Sequence, residues 1–298
     1  MTRLSTIGIA IGAIMTAALV SSLAFGGPLD PPAGAISATD ATHINQQGTS
    51  FPYVIDEPGV YRLTSDLQLA GNSVAIEIGA DDVTIDLNGF TIRGDNTGIG
   101  VRPVVPVGPD GTVVEYTNTR VINGTFADLE AGVANNNSGL GGRLGLLVHA
   151  RFDNLTARDC TAAGILAGDD ALVSDCRFHG NLNGLVIGDR STVEDCQFND
   201  NTAHLFVNQR AVIRDNTFYE GTTGISSGSG SSTAHITITD NVFLGVTGGA
   251  VDIGGAQRNF IYNNIADDCG PTPLSAPTSD IPISTGAAGA GPRDNIAP

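Results

Sequence analysis

The chain has 298 residues, 39 of them glycine, with 15% charged residues, no tryptophan, 14 basic residues that are all arginine, and a net charge of −17. Long helices draw on Lys, Glu, Ala and Leu for their faces, so this composition argues against a helical protein and favours short strands joined by Gly, Asn and Asp turns. The acidity argues against nucleic acid as a partner, and against a polyanionic sugar unless a metal ion bridges the charges.

At the N-terminus Arg3 supplies a short positive region, and no charge follows until Asp30. Ser22-Leu23-Ala24 places small residues around a cleavage point. The pattern predicts a signal peptide over residues 1–24 and an exported mature chain, secreted, extracellular, at the cell surface or periplasmic. A membrane span is the rival reading, because the uncharged stretch is long enough to cross a bilayer. Gly8, Gly12, Thr6, Thr16, Ser21 and Ser22 dilute it, and no membrane contact is expected after signal removal.

Residues 25–50 form an N-terminal segment. From 51 to 269 the chain alternates apolar runs of three to five residues with Gly, Asn or Asp, a strand-and-turn pattern. The first copies of a recurring unit lie at 85–90 and 121–126. Insertions follow each of them, at 102–118 and roughly 127–145, and binding residues often sit on such loops. A further copy is read at 157–162. The clearest copies are Val173-Ser174-Asp175-Cys176-Arg177-Phe178, Val193-Glu194-Asp195-Cys196-Gln197-Phe198, Ile213-Arg214-Asp215-Asn216-Thr217-Phe218 and Ile238-Thr239-Asp240-Asn241-Val242-Phe243. A second string keeps step with them at Gly164-Ile165, Gly184-Leu185, His204-Leu205 and Gly224-Ile225. The last copy is 261–266, and from 270 to 298 a Pro-, Ala- and Gly-rich tail follows.

A repeat of about twenty residues cannot bury its own apolar face, and stacking strands about 4.8 Å apart gives one continuous core. The expected fold is therefore all-β, a single-stranded right-handed parallel β-helix, a solenoid of eight or nine coils. Alternation turns Val173, Cys176 and Phe178 inward and Ser174 and Arg177 outward, with Asp175 in a left-handed bend. The inward column after the bend reads Asn88, Gly124, Cys160, Cys176, Cys196, Asn216, Asn241 and Asn264. The ring column reads Phe90, Phe126, Phe178, Phe198, Phe218 and Phe243. Cysteines that share a column point the same way, which is poor disulfide geometry, so Cys160, Cys176 and Cys196 are expected as free buried thiols with Cys269 outside the column.

The stretches GVYRLTSDL at 59–67, AIEI at 75–78 and DVTIDLNGFTIRG at 82–94 resemble the opening of secreted right-handed parallel β-helix repeat proteins of the pectin-lyase-like class. The resemblance covers about residues 50–270 and implies the fold. Hydrolases of that class share clustered Asp residues with Gly-His-Gly and Arg-x-Lys elements, and neither element occurs here. Lyases of the class use a basic residue, often beside Ca²⁺ held by acids.

Outward columns supply the candidate residues. The strand before the bend displays Asp86, Ile122, Arg158, Ser174, Glu194, Arg214 and Thr239, so Asp86, Arg158, Glu194 and Arg214 are the catalytic candidates. Glu194 and Arg214 should be neighbours, and such cross-strand pairs are also ordinary surface features. The strand after the glycine string displays Glu77, Gly100, Leu166, Val186, Phe206, Ser226 and Asp252. Its apolar middle, Leu166, Val186 and Phe206, is the candidate ligand surface, which the tail, an insertion, a second subunit or a sugar ring could cover. Turn acids Asp81, Asp82, Asp169, Asp170 and Asp189 are candidate Ca²⁺ ligands, although the Gly-rich nonapeptide Ca²⁺ repeat is absent. His43, His149, His179, His204 and His235 lack metal-ligand spacing. His204 replaces glycine in the second string and is read as a surface residue. The sequence points to polysaccharide or cell-surface glycan binding; a polysaccharide lyase or glycosidase with its site near the insertions, and a structural or adhesive module, are the alternatives.

Overall fold

The computed structural model describes residues 40–47, 50–104, 114–135, 146–227, 235–253, 259–270 and 274–275. The predicted signal peptide, residues 105–113 and 136–145 of the insertions, and nearly all of the predicted tail lie outside the described residues.

The coil at 172–186 shows the plan. Leu172–Ser174 lies on face one, Arg177–His179 on face two and Asn183–Val186 on face three. The next coil stacks on it in parallel register, with Val173 opposite Val193, Phe178 opposite Phe198 and Leu185 opposite Leu205. Among the described residues face three is a ten-stranded sheet, so nine turns of the solenoid separate its first strand from its last, close to the expected eight or nine coils. Faces one and two share one sheet, because Arg120–Ala127 and Arg151–Arg158 run as single strands through the bend between them. Among the described residues there is no helix.

The bend residues explain the Asp and Asn content. Asp175, Asp195, Asp215 and Asp240 hold φ of 53°, 55°, 58° and 57° at the first bend, as Asn123 and Asn154 do in earlier coils at 59° and 51°. Asp and Asn tolerate this left-handed conformation because their short polar side chains bond locally. The second and third bends repeat the device, for example at Asp200 and Asp170.

Between the bends the alternation holds. Ile85, Val121, Phe152, Val173, Val193, Ile213 and Ile238 form one fully buried column on face one, and Val133, Ile165, Leu185, Leu205, Ile225 and Val251 another on face three. The rings of Phe178, Phe198, Phe218 and Phe243 stack with centroids 4.8, 4.7 and 4.6 Å apart. Beside them runs an amide ladder. Asn216 Nδ2 donates to Asn241 Oδ1 at 3.0 Å and Asn241 Nδ2 to Asn264 Oδ1 at 2.9 Å, and the Nδ2 of Asn216, Asn241 and Asn264 also reaches a face-one strand carbonyl of the preceding coil, that of Val193, Ile213 and Ile238. Every rung is thus both buried and satisfied.

Register departs from the expected columns in the early coils. Phe152 pairs with Val173 and Ala157 with Phe178, so the copy in that coil is 152–157 and not 157–162. Leu155 fills the slot assigned to Cys160. Ile92, not Phe90, pairs with Phe126, and Asn88 is exposed while Leu87 turns inward. The stretch 127–134 belongs to the regular coil, with Ala131–Ala134 on face three.

Cys160 stands instead at the second bend, where its N–H donates to Asn181 Oδ1 at 2.9 Å. All four cysteines are free, and Cys160, Cys176 and Cys196 are buried. Burial pushes the Cys160 thiol up to about 12 and raises Cys196 as well. A thiol reagent should therefore modify the half-buried Cys269 first in the native protein. All four thiols should titrate after denaturation without reductant; a Cys176–Cys196 bridge in a peptide mass map would overturn this.

Candidate functional site

Face three carries the candidate ligand surface. Leu166, Val186 and Phe206 lie on consecutive strands in register, with Ala134 before them and Ser226 and Asp252 after. The three are half-buried rather than fully exposed. They form a continuous stripe because each follows a buried Ile or Leu, so alternation sends each of them outward.

The upper end of the stripe differs from expectation. Arg102, not Gly100, is the outward partner of Glu77. Arg102 donates to Glu77 Oε1 from Nε at 2.9 Å and from Nη2 at 2.5 Å. Gly100 points inward, where an added Cβ would lie 2.6 Å from the Phe126 ring. Both insertions leave the regular coils at this end. The first leaves the strand Ile99–Pro103 and the second follows Ala131–Ala134, both of them face-three strands. Their parts at 105–113 and 136–145 lie outside the described residues.

The catalytic candidates do not converge. Glu194 and Arg214 are neighbours on face one, as the spacing predicts, and their side chains form a close ion pair. Asp153, not Arg158, occupies the column between Ile122 and Ser174. Arg158 lies on face two opposite His179 and pairs with Asp159 at 2.9 Å. Asp86 is buried and accepts from Arg62 Nε at 2.9 Å and from the Asn88 N–H at 2.9 Å. It stands four rungs from Glu194, roughly 19 Å at the usual strand separation. Carboxyl pairs that work together on a glycosidic bond stand within about 10 Å.

The acidic turn residues belong to the third bend and its neighbours. Asp81 accepts from the Thr117 N–H at 2.7 Å, and Asp82 accepts from Asn118 Nδ2 at 2.9 Å. Asp170 binds Arg190 through both oxygens at 2.7 and 2.6 Å, which holds its carboxyl below the usual range. Asp169 is raised by burial, partly offset by the bond its Oδ1 accepts from the Asp189 N–H at 2.8 Å. These carboxylates act as rungs between coils. Among the described residues no group of three or more His, Cys, Asp or Glu is placed to hold a metal ion.

His204 is the largest departure. It is fully buried, beside the rings of Phe198 and Phe218. Nδ1 accepts from Asn201 Nδ2 at 3.1 Å, which places the proton on Nε2, and Nε2 donates to the Glu220 carbonyl at 2.5 Å. Burial lowers its pKa to about 4.

The family model of the right handed beta helix region matches residues 74–233. That is more than half of the chain, and the protein belongs to this family, which also settles the hand of the solenoid. Among solved structures it is similar to the crystal structure of the Agl-KA catalytic domain, at 13% identity and a TM-score of 0.35, over 70% of this chain and 51% of that one. The chain thus spans about half the length of that structure. No curated protein matches it.

Proposed function

We propose that the protein binds polysaccharide on face three, with the stripe of Leu166, Val186 and Phe206 as the platform. The observation that supports this most directly is the register: three apolar side chains on successive rungs, bounded by the Arg102–Glu77 pair at one end and Ser226 and Asp252 at the other. A sugar ring offers an apolar C–H face and a polar rim. A stripe of this kind takes the first, and flanking charged and hydroxyl groups take the second. Both insertions leave from face-three strands at the Arg102 end of the stripe. We also propose that the protein is exported and acts outside the cytoplasm, as the signal-like start implies.

The test is retention of the purified protein on insoluble polysaccharides, comparing wild type with Leu166→Ser/Phe206→Ala. The double variant removes the platform from half-buried positions and leaves the core columns intact. At least a tenfold loss of affinity is expected, with the thermal transition within a few degrees of wild type. Equal retention of the two proteins would remove face three as the site. A parallel assay for reducing ends and unsaturated sugars, with and without Ca²⁺, separates binding from cleavage; the dispersed carboxylates lead us to expect no product.

A further inference from the structure

On the far side of the coil from face three, the first bend of the early coils opens into a cleft of about 410 Å³ lined by Asp86, Asn88, Asn123, Thr125, Asn154 and Thr156. The volume falls within the roughly 300–1,000 Å³ usual for ligand sites. Its walls come from three successive coils. Asn123 and Asn154 occupy the left-handed bend position, and Thr125 and Thr156 are paired on the strand that follows, with Thr91 on the coil before. The same amide-and-hydroxyl unit therefore repeats at one-rung intervals along the solenoid axis, about 4.8 Å.

The polar groups are held in order. Asn154 Nδ2 donates to Asn123 Oδ1 at 3.0 Å, Asn123 Nδ2 donates to Asp86 Oδ1 at 3.2 Å, and Arg62 Nε donates to Asp86 Oδ2 at 2.9 Å. The side chain of Asp86 is only 9% exposed, and its charge is matched by Arg62. This chain fixes the amide orientations and leaves Asn154 Oδ1 and the hydroxyls of Thr125 and Thr156 without a partner among the described residues. Gly89, at φ 80°, lines the same cleft and has nothing within 4 Å of its missing Cβ, so the approach is open.

In the four coils after the cleft the bend changes character. Asp175, Asp195, Asp215 and Asp240 replace the amides, and Arg177 and Gln197 follow the threonines on the adjacent strand. An amide returns at the bend at Asn263, five rungs from Asn154 and away from the cleft. One neutralised carboxylate is too few for a cation, which wants six to eight oxygens. A polyanion would meet a chain of net charge −17. The lining is mostly polar and includes no Val, Leu, Ile, Met or aromatic residue on which a peptide side chain would pack. It offers repeated donor–acceptor amides and hydroxyls, which match the vicinal hydroxyls of an uncharged sugar.

We propose that this cleft is a second carbohydrate site, independent of face three, that takes a short uncharged oligosaccharide lying along the solenoid axis. The probes are neutral hexasaccharides of glucose, mannose and xylose, titrated against the full chain by ligand-observed NMR. The test variant is Thr125→Val/Asn154→Gly/Thr156→Val. It keeps strand-forming side chains at 125 and 156 and a residue at 154 that accepts positive φ, and it removes the three unpartnered groups. At least one probe should bind the wild type, and its Kd should rise at least tenfold in the variant. The same Kd should be unchanged in Phe206→Ala, which tests face three alone. If the triple variant melts early, Thr156→Val alone should still raise Kd at least threefold. Wild-type affinity in the triple variant, or no binding of any probe to the wild type, would overturn the proposal. Loss of hexasaccharide binding in Phe206→Ala alone would overturn it in favour of face three.

Discussion

Replacing Asn241 with leucine should destabilise the protein by roughly 3–6 kcal/mol, because it leaves several buried polar groups unpaired at about 1–3 kcal/mol each. Asn241 is the central rung of the amide ladder. Its Oδ1 accepts from both the N–H and Nδ2 of Asn216 at 3.0 Å. Its Nδ2 donates to the carbonyls of Ile213 and Thr239 and to Asn264 Oδ1, at 3.0, 2.9 and 2.9 Å. Leucine fills a similar volume but can neither accept nor donate. The Asn216 N–H then faces the core without a partner, while its Nδ2 keeps the carbonyls of Val193 and Arg214. The lesion spreads to the neighbouring coil because the ladder links coils rather than residues within one coil. Asn216→Leu should cost a similar amount, since Cys196 N donates to Asn216 Oδ1 at 2.9 Å. Chemical denaturation measures both. A loss under about 1 kcal/mol in Asn241→Leu would mean that the ladder does not hold the coils. Cys196 offers the converse experiment: Cys196→Asn extends the ladder upward by one rung and should be tolerated, since the slot at Asn216 one coil below already holds an amide.

The repeat was legible where its chemistry is redundant. In the coils at 173–178, 193–198, 213–218 and 238–243, a β-branched residue, an acidic bend, a small polar or thiol residue and a phenylalanine all recur, and the register follows from any two of them. In the coil before these the signals conflict. Phe152 and Ala157 have exchanged ring and aliphatic roles relative to Val173 and Phe178. Asp159-Cys160 imitates the first-bend pair Asp175-Cys176 but sits at the second bend, since Asp159 also has a positive φ of 57°. A motif that rests on an Asp-Cys pair cannot tell one left-handed corner from another. Two extra residues around Asn88 and Gly89 shift the ring column in the same way from Phe90 to Ile92.

The candidate site was legible in its middle and at its later end, Ser226 and Asp252, and not at its earlier end. Leu166, Val186 and Phe206 follow from strict alternation within coils of equal length. Gly100 was misplaced because the register was carried across a coil of different length, whereas the strand Ile99–Pro103 puts Val101 inward and Arg102 outward. The cleft at the first bend gave a faint signal. Asn123-Gly124-Thr125 and Asn154-Leu155-Thr156 repeat an Asn-x-Thr pattern in consecutive coils, but only the correct register shows them stacked.

His204 was misread for a reason that leads to the largest pH effect expected of this protein. The second bend carries its own amide ladder, in which Asn181 Nδ2 donates to Asn201 Oδ1 at 2.8 Å. One coil later the matching position is Gly221, with no side chain to continue it. The imidazole of His204 takes that space: an added Cβ at Gly221 would lie 2.8 Å from Nε2. His204 Nδ1 accepts from Asn201 Nδ2 as the next asparagine oxygen would. The histidine is thus a ladder rung supplied from the neighbouring strand, and the rung works only while Nδ1 is unprotonated. An unfolded histidine titrates near 6.5, whereas His204 in the fold titrates at about 4. Between those values the unfolded chain binds a proton that the folded chain does not, so stability falls as pH falls and levels off below about 4. The full difference amounts to about 3 kcal/mol. His204→Leu should be less stable than wild type at pH 7 by roughly 1–3 kcal/mol, through the unpaired Glu220 carbonyl and the lost acceptor for Asn201. It should lack this part of the pH dependence, so the gap should close or reverse by pH 4. Carboxylates that titrate in the same range affect both proteins alike and cancel in the comparison. Urea denaturation of the two proteins at pH 7, 5.5 and 4 measures the gap directly. A gap that stays constant across the three pH values would show that His204 is not held neutral by the ladder.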